Sequence, residues 1–106
     1  MAEKRETGSM ELLVLGLLES REMYGYEMVL ELQRRSNEVF TLKEGTLYPL
    51  LHKLEKEKLV QAFEKQYEGR TRRYSRLTER GAGRLREKKE AWTEYVRAVN
   101  AVLCAT

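Results

Sequence analysis

The apolar residues of this chain change their spacing twice, and that change limits the folds open to it. From Met10 to Lys58 they recur at helical intervals, from Val60 to Leu77 the residues suit strands, and from Thr78 the helical spacing returns. Ser9 can cap a first helix in which Met10, Leu12, Leu13, Val14, Leu15, Leu17 and Leu18 are apolar on nearly every side, as burial against several partners requires. After a polar turn at Glu19–Met23, a second helix runs from about Tyr24 to Arg35, with Met28, Val29 and Leu32 on one face and Glu27, Glu31, Arg34 and Arg35 on the other. Thr41 and Glu44 have the spacing of a capping box, which predicts a third helix reaching about Lys58. Its Leu47, Leu50, Leu51 and Leu54 share a packing face, leaving Tyr48, His52, Lys53 and Lys56 free. Pro49 follows Gly45 by one helical turn, so a mild bend is expected there and not a break.

Val60–Tyr67 and Arg72–Leu77 read as two strands joined by a turn at Glu68-Gly69-Arg70-Thr71. Thr78 can cap the last helix, where Leu85, Trp92 and Val99 recur every seventh residue and Tyr95, Val96, Val102 and Leu103 join them. Little of the chain is left to cover so long a stripe, which predicts contact with a second copy through Leu85, Trp92, Tyr95, Val96, Val99 and Leu103.

Three helices, a hairpin and a further helix follow the order of a winged helix-turn-helix, in which the third helix enters the DNA major groove and the hairpin touches the flanking backbone. The expected class is therefore mainly α (α+β), with a two-stranded wing and a C-terminal dimerisation helix. Residues 1–8 read as a flexible arm, 9–78 as the DNA-binding domain and 79–106 as the dimerisation helix. At 106 residues there is no room for a separate catalytic domain, while 42% hydrophobic and 35% charged residues suit a small core under a solvated surface. A lone cysteine, Cys104, cannot form an internal disulfide, and the apolar run Leu12–Leu18 is too short to span a bilayer, so a cytoplasmic protein without membrane contact is expected.

Winged helices also serve as protein-interaction modules, so the placement of charge has to separate the two uses. A net charge of +3 says little by itself, but the hairpin carries Lys65, Arg70, Arg72, Arg73 and Arg76, and the free face of the third helix carries Lys53 and Lys56. Positive charge thus gathers where phosphates would lie, with Arg70 at a tip able to reach a minor groove. The competing reading pairs these arginines with Glu64, Glu68 and Glu79 on a solvated surface, or turns the basic hairpin toward an acidic protein partner. Tyr48 and His52 can bond phosphates or base edges, or can only shield the helix. Catalysis is not expected: His52 is the single histidine, the cysteine is terminal, and no metal-ligand cluster, phosphate loop or cofactor motif occurs.

The stretch Gly45–Glu55, GTLYPLLHKLE, closely resembles the recognition-helix signature of the PadR family of bacterial transcription regulators. MELLVLGLLE at Met10–Glu19, YGYEM at Tyr24–Met28 and RRYSRLTERG at Arg72–Gly81 are similar to that family's first helix, second-helix start and wing with last-helix cap. The resemblance covers about Ser9 to Gly81 and resembles the subfamily with a single final helix. It implies a homodimeric repressor on an inverted-repeat operator of double-stranded DNA, for which the free face of the third helix and the hairpin offer Thr46, Tyr48, His52, Lys53, Lys56, Arg70, Arg72 and Arg73 as DNA-contact candidates. It also implies a planar aromatic effector between paired tryptophans, for which Trp92 is the candidate; plain dimer packing is the other use of Trp92.

Overall fold

The computed structural model describes residues 2–104, with side chains from residue 9 onward. Along the chain lie α1 (Ala2–Ser20), β1 (Met23–Tyr24), α2 (Gly25–Arg35), α3 (Glu44–Lys56), β2 (Val60–Tyr67), β3 (Arg70–Leu77) and α4 (Glu79–Leu103). Four helices with one antiparallel sheet in the order β1-β3-β2 make a winged helix-turn-helix, the expected class. The arm expected at 1–8 lies outside the residues whose side chains are described. Ser9 is interior to α1 and does not cap it.

Val14, Leu15, Leu17 and Leu18 of α1 occupy the middle of the core, against Met28 and Leu32 of α2, Leu47, Leu51 and Leu54 of α3, and Leu85 of α4. This burial on three sides accounts for a first helix that is apolar almost all round. The capping box expected at Thr41 and Glu44 does not form: burial of Leu42 draws the loop inward, the helix starts two residues later than that box requires, and Lys43 is its N-cap, without a side-chain cap bond. A carboxylate does cap α2, where Glu27 Oε1 accepts the Tyr24 N–H at 3.1 Å. The third helix is continuous through Pro49. It ends in a Schellman turn, with the Leu59 N–H on the Leu54 carbonyl at 2.9 Å, the Lys58 N–H on Glu55 at 3.0 Å, and Lys58 at φ 62°.

The hairpin turn is tighter than the sequence suggests. Tyr67 pairs directly with Arg70, leaving only Glu68 and Gly69 as loop, at φ 52° and 77°. Positive φ at both positions matches the right-handed twist of the strands, and Gly69 adopts it without steric cost. The two-residue strand β1, where a polar turn was expected, pairs Met23 with Ser75 and Tyr24 with Tyr74. A strand that short has no periodicity to read.

Thr78 caps α4 as expected, accepting the Gly81 N–H at 3.0 Å and donating its hydroxyl to the Lys58 carbonyl at 2.7 Å. Gly81 lets α4 root against the end of α3, since a Cβ there would lie 2.0 Å from the Leu59 carbonyl oxygen. One residue of the expected interface stripe belongs elsewhere: Leu85 is buried in the core of its own chain, because the root of α4 packs on α1. Val96 and Val99 are half-buried, whereas Trp92, Tyr95, Val102 and Leu103 are exposed.

Candidate nucleic-acid interface

Burial of Leu47, Leu51 and Leu54 turns the opposite side of α3 outward, so Thr46, Tyr48, His52, Lys53 and Lys56 are all exposed, as their helical spacing predicts. Tyr48 and His52 meet Arg72 and Arg73 of β3 and Tyr26 of α2 around a cleft of about 310 Å³. Tyr48 is placed by Gly25, where an added Cβ would lie 2.8 Å from its hydroxyl oxygen. Burial, the charge of Glu44 and a hydrogen bond to it raise the Tyr48 pKa, so the group at the cleft is a neutral O–H.

Strand alternation divides the wing's basic residues between two faces. Arg73 shares its face with Ser75, toward α3, and pairs with Glu55 at 3.0 Å. Arg72 and Arg76 point the other way, onto aromatic rings: the guanidinium of Arg72 lies 4.5 Å from the Tyr24 ring centre and that of Arg76 5.2 Å from Phe63. The Nε of Arg72 is buried without a hydrogen-bond partner, so its side chain also serves as packing between β1 and the wing. Lys65 lies 2.6 Å from Glu22, which raises its pKa chiefly through their hydrogen bond. Lys53 reaches back to Glu11 at 3.4 Å and Glu57 at 3.9 Å.

Among the described residues, Arg70 and Lys56 make no ion pair, and the arginines do not pair with Glu64, Glu68 or Glu79. The acidic partners come instead from Glu22 and Glu55, brought in by the tertiary fold. Such exposed pairs add little to stability, so a phosphate can displace the carboxylate. Sequence reasoning missed Tyr26, 53% exposed beside the N-terminus of α2. Its signal was its place at a helix start, where backbone N–H groups favour anions.

An exposed helix beside a basic hairpin, on a three-helix core, defines a DNA-binding winged-helix protein. Residues 14–87 match the transcriptional regulator PadR-like family, and the chain belongs to that family. It is 32% identical over 94 residues to a transcriptional regulator of Mycobacterium tuberculosis, a match covering 89% of this chain and 85% of that protein. The fold is similar to that of a PadR-like transcriptional regulator from Bacillus cereus, with TM-score 0.83, 32% identity, and coverage of 93% of this chain and 95% of that one. A PadR family regulator from Clostridium difficile gives TM-score 0.77 and 34% identity over 88% of this chain and 96% of that one. The chain is thus a DNA-binding transcriptional regulator. Among the described residues no helix is long and apolar enough to cross a membrane, and no cluster of potential metal ligands occurs.

Proposed function

We propose that the protein is a homodimeric repressor that binds an inverted-repeat operator, with α3 in the major groove and the wing tip on the flanking backbone. The observation that carries this reading is the convergence of Tyr48, His52 and Arg73 on one cleft, with Arg70 and Lys56 making no ion pair among the described residues. Dimerisation is supported by the exposed Trp92, Tyr95, Val102 and Leu103 on the far half of α4, an apolar surface that a second copy would remove from water. Trp92 and Tyr95 stack at 5.8 Å between ring centres, forming an aromatic platform, and Glu90 and Glu94 lie near it in sequence. This arrangement supports a planar, cationic aromatic effector taken up between the two copies. For induction the effector has to bind better to a dimer whose recognition helices are out of register with DNA, because equal affinity for both states shifts nothing.

The test is fluorescence anisotropy on DNA selected from random duplexes. A dimer with about 6–10 phosphate contacts loses roughly a thousandfold or more in affinity between about 50 and 200 mM salt, and Arg70→Ala should make that slope shallower. Salt-independent binding would return the basic hairpin to a protein partner. Quenching of Trp92 by flat cationic dyes, with dye affinity followed by the dye's own fluorescence and weakened in a Trp92→Ala protein that still dimerises, tests the effector.

A further inference from the structure

Glu11 is 4% exposed, on the inner side of α1 and away from the DNA-facing cleft. Its Oε1 lies 3.4 Å from Lys53 Nζ on α3, while its Oε2 lies 3.2 Å from Arg84 and 3.6 Å from Lys88, both on α4. Glu57, the C-cap of α3, closes the ring at 3.5 Å from Arg84 and 3.9 Å from Lys53. Leucines also hold these helices together, but apolar attraction is non-directional and tolerates sliding. A carboxylate taken out of water has to keep its charged partners, so it favours one register of the helices over its neighbours.

We propose that Glu11 is a positioning residue that locks the root of α4 to the recognition helix α3, and thereby sets the spacing of the two recognition helices in the dimer. This rests on the proposal of a dimer on a two-half-site operator. Arg84 and Lys88 sit at the root of α4, and the helix runs about 22 Å further, from Lys88 to Leu103. A small rotation at the root is magnified at the end that meets the second copy. Lys53, the one DNA-contact candidate held by a buried carboxylate, is then the α3 arm of this joint.

The experiment uses the full-length protein and half-sites selected from random duplexes, with the distance between half-sites varied in single base-pair steps. The unaltered protein should prefer one separation. Glu11→Gln should weaken that preference by about 5- to 150-fold, the range of couplings between linked sites, while affinity for an isolated half-site stays the same. Arg84→Gln and Lys88→Gln, made singly, each remove one contact of the α4 arm. Each should weaken the preference similarly, and combination with Glu11→Gln should add nothing further. These surface variants carry the test where Glu11→Gln fails to fold. Unchanged preference, additive losses, or equal losses at every separation would overturn the inference. An unaltered protein that binds DNA with no preferred separation overturns it while leaving DNA binding intact; one that binds no duplex overturns the proposed function, and this joint with it.

Discussion

The two halves of α4 share one helix and one seven-residue spacing, yet they do different work. In the first half Gly81 and Leu85 are buried and Arg84 and Lys88 reach Glu11, so the helix is part of the winged domain. In the second half Trp92, Tyr95, Val102 and Leu103 are exposed, and the molecule stretches to 59 Å along an axis against 28 and 24 Å across. An apolar position on a helix therefore says that a partner is needed, not whether the chain itself supplies it.

Removing the second half should have the largest effect, and on association alone. Deleting Glu94–Thr106 is expected to abolish dimers at micromolar concentration in sedimentation, while the truncated chain keeps its cooperative thermal unfolding. Loss of folding would show that the second half supports the core after all.

Substitutions then separate the halves one residue at a time. Leu85→Ala should lower the unfolding free energy by about 2–5 kcal/mol in urea denaturation, as large-to-small changes in closed cores do. Trp92→Ala, measured at a concentration where the chain is monomeric, should change it by less than about 1 kcal/mol, because half of that side chain's surface already faces water. Equal costs would erase the distinction. Gly81→Ala should cost about 1–3 kcal/mol through the clash with the Leu59 carbonyl, and should loosen the root of α4 without opening a cavity.

The smallest effect belongs to an ion pair outside both halves, against which the buried Glu11 ring can be judged. The carboxyl of Glu31 is lowered to about 2, first by its hydrogen bond to Arg34 and then by that to Arg35. A lowered carboxyl stabilises the fold above its unfolded value, near 4.5, and that contribution is lost as pH falls from there toward 2. Denaturation of the native protein and Glu31→Gln should differ slightly at neutral pH and converge at about pH 2. A difference that persists at pH 2 would assign Glu31 a role in packing.

How much of this was legible in sequence follows from the range of the interactions involved. The buried Leu47, Leu51 and Leu54 and the exposed Tyr48, His52 and Lys56 were readable, because helical spacing alone sorts a helix into faces. The Thr78 cap was equally readable, as its hydrogen bond to Gly81 spans three residues. The Thr41 box was misread, because the burial of Leu42 outweighed a local preference. The stacking of Arg72 on Tyr24 and the pairing of Arg73 with Glu55 were out of reach, since each joins segments far apart in the chain.

The order of helices and hairpin, the outward face of the recognition helix and the basic character of the wing all follow from periodicity and composition within short windows of sequence. Only packing in three dimensions decided which basic residues meet a carboxylate, which half of the final helix the chain covers for itself, and that the Glu11 carboxylate meets Lys53, Arg84 and Lys88. The physical reason is that charge pairing and burial depend on distance in space, and residues 42 to 77 positions apart have no shared spacing from which that distance can be read.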